Sequence, residues 1–411
     1  MLRGHTGHLI DSRIVERTLT TGQTQLRSIG VVTTSRADYS ACRPLLKALQ
    51  ADPHISLRLY VSGTHLSPEF GLTVRCIEDD GMEIAERVEM LLSSDTPEAI
   101  AKSTGLGLIG FGQAFGSFRP DILVVLGDRY EMLAAALAAL PFTIPVAHLS
   151  GGELTEGAID DVLRHSITKL SHLHFAATEE YARRIIQLGE EPWRVTVSGE
   201  SSLDNLRTIT MLSPSELEER YRLQLGGPFL LVTYHPTTLE YEQAESQIDE
   251  LLTALAKTKL SPVFTQPNAD TGNRVIRQKL EQFVASHRSS ALVDNFGTQA
   301  YFSMMNLATA MVGNSSSGIV EAASFRLPVV NIGTRQHGRI RARNVIDVGY
   351  SQEEIAKGIQ QAIDPQFRAS LGGLTNPYGN GEASSIILER LKNAALGDSL
   401  IRKKFYDLPF N

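Results

Sequence analysis

The most constraining feature of this chain is a long alternation between short, unbroken apolar runs and longer helical stretches. The runs SIGVVT (28–33), LRLYVS (57–62), ILVVL (122–126), PVAHL (145–149), HFAA (174–177) and VTVS (195–198) form one series. A second series comprises FLLVTY (229–234), PVFT (262–265), ALV (291–293), AMV (310–312) and PVVNI (328–332). They read as unalternated and rich in Val, Ile and Leu, as expected of strands covered on both faces of a parallel sheet. Between them lie helical patterns such as 131–139, 179–188 and 245–257. Strand, helix, strand, repeated through both halves, predicts an α/β protein of two doubly wound units.

The join is expected within 206–228, where a polar helix ends in Gly226-Gly227-Pro228, a helix stop. This divides the chain into an extension (1–27), a first unit (28–206), a second unit (207–382) and a terminal helix (383–411). With 411 residues each unit can bury a core without a staple, and two cysteines exclude a disulfide framework or a Cys-based zinc site. A net charge of −7 with scattered Lys and Arg excludes a nucleic-acid footprint. No run approaches the ~18 apolar residues of a membrane span, and residues 1–27 lack the apolar core of a secretory signal. The expectation is a cytoplasmic protein without membrane or nucleic-acid partners.

Open α/β sheets bind ligands beyond the carboxyl ends of their strands. The residues there are functional in type: Thr34-Ser35-Arg36-Ala37-Asp38, Gly63-Thr64-His65, Gly127-Asp128-Arg129, Ser150-Gly151-Gly152-Glu153, Gly199-Glu200-Ser201, His235-Pro236, Gln266-Pro267-Asn268, Gly313–Gly318 and Gly333-Thr334-Arg335. Gly105, Gly107 and Gly110 match the GxGxxG dinucleotide pattern, but a helix rather than a strand precedes them, so close helix packing explains them better. Gly313–Gly318 is the stronger anion site: a Gly/Ser turn between strand and helix offers free N–H groups and hydroxyls to a phosphate. Serine N-capping alone is the plainer reading. Glu321 and Arg335 nearby favour a nucleoside diphosphate with its ribose.

The first unit supplies titratable groups. Asp128 follows an apolar strand, Glu153 a Gly-Gly turn, and Asp160 and Asp161 open a helix, where acids are also ordinary helix-start chemistry. Asp161, His165 and Lys169 share a helix face and read as an ion-pair ladder. His148, His172 and His174 lie in or near strands as structural residues, and no cluster calls for a metal.

The stretches TSRADYS (34–40), GDRYEMLAAA (127–136), HLSGGELTEGAIDDVLRHSITKLSHLHFAAT (148–178), YHPTT (234–238), GNSSSGIVEA (313–322) and NIGTRQHGRIRARNVI (331–346) resemble the UDP-N-acetylglucosamine 2-epimerase family, most of all its hydrolysing branch in sialic and legionaminic acid biosynthesis for cell-surface polysaccharide. The resemblance runs from about residue 28 to 390. It implies a GT-B-like arrangement: two Rossmann-like lobes, a cleft between them, and a C-terminal helix crossing back to the first lobe. It further implies that Ser315, Ser316, Glu321 and Arg335 hold UDP, with His235 near the diphosphate. Arg36 and Arg129 would reach phosphates and sugar, and Asp128 and Asp160 would be the acid/base pair. Glu153 and His235 join these as catalytic candidates, and Asp38, Ser40, His65 and Asn268 complete the substrate-binding set. Many members carry a glutamate where this chain has Ser150, so either Glu153 takes on proton transfer or the substrate differs.

The implied reaction is elimination of UDP to a 2-acetamidoglucal, reprotonation at C2 from the opposite face, and water addition at C1. It needs an acid, a base and cations for the leaving diphosphate, but no cofactor and no metal. UDP-N-acetylglucosamine and a UDP-2,4-diacetamido-6-deoxy sugar both fit. A homo-oligomer, dimer or tetramer, is expected. Three alternatives differ in outcome. A non-hydrolysing epimerase returns the sugar still on UDP, a GT-B glycosyltransferase needs an acceptor, and a UDP-sugar-binding regulator leaves C2 unexchanged.

Overall fold

The computed structural model describes residues 26–94, 96–268 and 270–409. Most of the expected 1–27 extension therefore lies outside the described residues, and the first strand already begins at Arg27. Thirteen strands are present in the described residues: β1 Arg27–Thr33, β2 Ile55–Ser62, β3 Ile84–Val88, β4 Ile122–Leu126, β5 Val146–Leu149, β6 Leu173–Ala176, β7 Val195–Val197, β8 Phe229–Thr233, β9 Ser261–Thr265, β10 Ala291–Val293, β11 Ala310–Gly313, β12 Val329–Ile332 and β13 Val345–Val348. They form two parallel sheets, ordered β3-β2-β1-β4-β5-β6-β7 and β10-β9-β8-β11-β12-β13. The second sheet and the first six strands of the first share the 3-2-1-4-5-6 order of the Rossmann fold. The expected GT-B-like pair of doubly wound lobes is what the chain forms.

β3 and β13 carry no signal in the apolar pattern. Both are edge strands, and in IAERV (84–88) and VIDV (345–348) the middle positions are partly exposed. The unbroken apolar run marks a strand covered on both faces, as β4 and β8 are along their whole length. The glycine-rich 105–116 segment lies inside the Pro97–Ser117 helix. A Cβ at Gly107 would come within 2.6 Å of Met90 and one at Gly110 within 2.5 Å of Val88. Those two glycines let the helix lie close against the Val88–Met90 strand end.

The first lobe's core runs from Ile29 to Phe175 and takes in Ala383, Ile387, Leu391 and Leu400 from the chain's end. The Ala383–Asn393 helix thus crosses back to the first lobe. Its start is fixed by buried Asp204, whose carboxylate accepts from the backbone N–H of Ala383 (3.0 Å) and Ser384 (2.5 Å). Leu391 is fully buried, and truncating such a residue to Ala costs about 2–5 kcal/mol. Beyond the helix, the Arg194 guanidinium donates to the carbonyls of Ser399 and Leu400 and ties the chain's end to the same lobe. The helix Pro214–Tyr221 packs Leu217 with Phe229 and Leu231 of the second lobe. A smaller core of Ala176, Tyr181, Leu203, Ile319, Val320 and Tyr378 joins the lobes beneath the cleft.

Candidate active site

The turn after β11 is built for close approach. Gly313 has φ +137°, and a Cβ there would overlap the Thr233 carbonyl oxygen of β8. Ser315 caps the helix that follows, its hydroxyl accepting from Ser317 N at 3.3 Å. Asn314 staples the turn to its neighbours. Its amide accepts from His235 N (2.7 Å) and donates to His235 O (2.8 Å), while its own carbonyl accepts from Arg335 Nη1 (3.0 Å) and Gln336 Nε2 (2.9 Å). The loops carrying His235 and Arg335 are thereby fixed around one cradle.

Burial, with the charges of Arg335, Arg36 and Arg129 behind it, holds the His235 imidazole well below its ordinary value, so it is neutral near pH 7. His235 Nδ1 accepts from Asn268 N at 3.1 Å, which leaves the ring proton on Nε2. The result is a neutral donor among three guanidinium groups. Arg36 reaches across from the first lobe to the Asp294 carbonyl (2.8 Å) of the second.

The acids lie on the first lobe. Asp128 is gripped by Arg164, a fully buried guanidinium that also donates to Glu153 O (3.1 Å) and Thr155 Oγ1 (2.9 Å). Asp160 opens the Asp160–Leu170 helix and lines a cleft cavity with Ile100, Arg129, Tyr130, Leu163, Thr238 and Asp270. Burial, then the facing Asp270, pushes the Asp160 carboxyl up, against Arg335 and Arg129. Arg129 lies between buried Glu131 (3.2 Å) and Asp270 of the second lobe (3.3 Å).

Three more carboxyl groups meet at the seam below. Glu153 pairs with Arg339 at 3.0 Å, Glu321 accepts from Ser202 Oγ at 2.5 Å, and Glu200 accepts from Ser150 Oγ at 2.8 Å. Burial raises all three, Glu200 to about 8, with Glu153 and Glu321 adding to its shift. Glu321 thus has a protein partner on one oxygen already. Ser150 itself has φ +59°, an uncommon backbone for serine.

The structure brings Arg36, Arg129, Asp160, Glu153, His235, Glu321 and Arg335 against the opposite lobe, while Asp128 is held by Arg164 at the end of β4, Asn268 backs His235, and Ser315 and Ser316 start the helix after Gly313. Asp38 sits behind them, its carboxylate accepting from Thr34 Oγ1 at 2.6 Å. His65 is buried with both ring nitrogens engaged, Nε2 by Thr33 (2.9 Å) and Nδ1 by Thr73 (2.7 Å), so it does not offer the sugar a free nitrogen. Ser40 contributes a backbone carbonyl to Asn205. The ladder on the Asp160–Leu170 helix is incomplete: His165 lies 3.6 Å from Asp161, but Lys169 turns to Glu190 (2.6 Å). His148, His172 and His174 are engaged within the first sheet. Arg164, Glu131, Glu200, Asp270 and Arg339 were not among the sequence candidates. Glu200 stood in a strand-end loop there, and Arg164 lay four residues beyond Asp160, on the same helix face.

A profile of the UDP-N-acetylglucosamine 2-epimerase family matches residues 47–392. The chain is 40% identical to the GDP/UDP-N,N'-diacetylbacillosamine 2-epimerase (hydrolyzing) of Campylobacter jejuni, over 93% of this chain and 99% of that protein. It is 36% identical to the UDP-N,N'-diacetylbacillosamine 2-epimerase (hydrolyzing) of Legionella pneumophila, over 92% and 99%. The crystal structure of a UDP-GlcNAc 2-epimerase from Neisseria meningitidis bound to UDP-GlcNAc shares the fold, with a TM-score of 0.76 at 20% identity over 89% of this chain and 99% of that one. The chain belongs to the UDP-N-acetylglucosamine 2-epimerase family, as an enzyme of its hydrolysing branch.

Proposed function

We propose that the cleft converts a UDP-2,4-diacetamido-6-deoxy sugar and water to UDP and the free 2-epimer. The observation that carries this reading is two kinds of group on the two lobes: Asp160 of the first lies close to Arg335 of the second, and Arg36 and Arg129 lie close to His235, while Asp128 is held by Arg164 at the end of β4. The substrate choice rests on the cavity wall beside Asp160, where Ile100, Ile159 and Leu163 offer a C6 methyl an apolar patch. The relatives from C. jejuni and L. pneumophila, both named for diacetylbacillosamine, support the same choice.

Each group has one task in this reading. The UDP diphosphate lies against the Gly313–Ser316 N–H groups, Arg335, Arg36 and the neutral His235 Nε2–H, with Asn268 backing the imidazole. Arg129 bridges phosphate and sugar, and Glu321 meets the ribose with its second oxygen. Asp128, oriented by Arg164, takes the C2 proton as the C1–O bond to UDP breaks, leaving the 2-acetamidoglucal. Asp160 returns a proton to C2 from the opposite face, and water adds its hydroxyl at C1 while its remaining proton goes back to Asp160; Asp128 releases the proton taken from C2 to solvent, which resets the pair. Positioning and charge stabilisation of the departing UDP supply the rest of the rate.

Asp128→Asn and Asp160→Asn should each abolish UDP release while UDP still binds. Mass spectrometry of products from UDP-N,N'-diacetylbacillosamine and UDP-N-acetylglucosamine then identifies the sugar. Full turnover in both variants would remove the acid/base assignment. Exclusive use of UDP-N-acetylglucosamine would remove the methyl wall.

We place the reaction in the cytoplasm, supported by unpaired Cys42 and Cys76. No described helix is long and apolar enough to cross a membrane. We also expect a homo-oligomer. The Pro97–Ser117 helix exposes Leu106 and Ile109, and the Tyr130–Ala139 helix with its following turn exposes Leu137 and Leu140. Apolar side chains gathered on one lobe in this way suit a contact with a second copy.

A further inference from the structure

Asp270 follows β9 on the second lobe and is nearly buried, yet its carboxylate belongs to the first lobe's chemistry. It accepts from Arg129 Nη1 at 3.3 Å and from its neighbour Asn268 Nδ2 at 2.5 Å. Asn273 at the start of the next helix donates to the Asp270 carbonyl at 2.8 Å and holds the loop. Asp270 and Asp160 line one cavity from opposite lobes, with Arg129 beside both. Two carboxyls from separate lobes line one cavity only when the lobes are together.

We propose that Asp270 is a positioning residue that loads Asp160 with its proton when the cleft closes. The proposal rests on the reading of Asp160 as the acid that reprotonates C2. The charged groups facing Asp160 are Asp270 and Arg335 from the second lobe and Arg129 from the first. On its own helix, Asp161 turns away to Thr155 N at 2.7 Å and to His165. Of the three that face it, only Asp270 favours the protonated form. It also offsets part of the Arg129 charge, which would otherwise draw the proton off. With the lobes apart, Asp160 faces water and releases its proton as an ordinary carboxylate does. With them together, burial and Asp270 act in the same direction, and Asp160 holds a proton at the moment the glycal needs one.

The test is the pH dependence of UDP release from UDP-N,N'-diacetylbacillosamine (or UDP-N-acetylglucosamine, if that is the sugar turned over) by the full chain, its Asp270→Asn and Asp270→Glu variants, and Asp160→Asn. The kcat profile reports the closed complex, and kcat/KM the free enzyme. In Asp270→Asn the alkaline limb of kcat should move down by about one pH unit while the kcat/KM limb stays in place. Asp270→Glu, which keeps the charge, should restore the parent limb. A kcat lowered equally at every pH, with the limb unmoved, would reduce Asp270 to a structural contact and overturn the proposal. Full turnover in Asp160→Asn would instead show that the underlying acid assignment is wrong, whatever Asp270 does.

Discussion

Replacing Glu200 by Gln should stabilise this protein, and do so increasingly as pH rises from about 4.5 to about 8. Glu200 is buried against Ser150 Oγ, close to Glu153 and Glu321, and its carboxyl is pushed from an ordinary 4.5 up to about 8. In the unfolded chain the group ionises near its ordinary value. Between those two values the folded state therefore holds a proton that the unfolded state has released. Stability falls as pH rises through that window and levels off above it. At ~1.36 kcal/mol per unit, the cost is under about 1 kcal/mol near pH 5 and about 3 kcal/mol near pH 7. A glutamine keeps the shape and the bond to Ser150 but never ionises, so it avoids the cost at every pH. Thermal denaturation of parent and Glu200→Gln chains in matched buffers reads the difference. The midpoints should nearly coincide near pH 5 and separate by about 3–4 °C near pH 7, at about 1.2 °C per kcal/mol for a chain of 411 residues. A glutamine variant that is less stable by the same margin at both pH values would refute the reasoning. It would mean that Glu200 is ionised in the fold and serves Arg339 as a partner.

Two further outcomes follow from the surfaces of the lobes. A Cβ at Gly157 would sit 2.6 Å from the Thr334 carbonyl oxygen across the cleft, beside the Glu156 N to His337 O bond (3.2 Å). Gly157→Ala should therefore wedge the lobes apart and lower kcat/KM by about 100-fold while leaving each lobe's fold intact. Small-angle scattering should show a radius of gyration with UDP larger than the parent's; equal compaction and full activity would count against the wedge. Ile109→Asp on the exposed face of the Pro97–Ser117 helix should convert the proposed homo-oligomer to a smaller species in sedimentation velocity, and an unchanged coefficient would place the interface elsewhere.

Most of the fold was readable because central parallel strands cannot hide. A strand such as ILVVL (122–126), covered on both faces, must be apolar at every position. The sequence was silent where that requirement lapses, at the edge strands β3 and β13, whose exposed positions accept Glu, Arg and Asp. The same logic holds for the discarded glycine motif. Gly107 and Gly110 are small because Met90 and Val88 press on them, a packing fact that the order of elements already suggested.

The candidate site was legible one lobe at a time and not across the cleft. Strand ends announce polar residues locally, so Asp128, His235 and Arg335 stood out by position, whereas Asp160 opens a helix and was marked as an acid only by the family resemblance. Partners could not. Arg129 and Asp270 are 141 residues apart and Ser202 and Glu321 are 119 apart, while Glu153 pairs with Arg339 of the opposite lobe. In each lobe by itself these are charged and polar groups facing solvent, where exposed ion pairs are worth ~1 kcal/mol or less. Brought together and dried, the same pairs interact far more strongly but must repay the loss of water, so the closed cleft gains little net energy from them. Charges of that kind are poor glue and good switches. Closure alters what each one does, turning Asp160 from a group facing water into one facing Asp270. The net charge of −7 says nothing of this, because the chemistry depends on which charges meet and when.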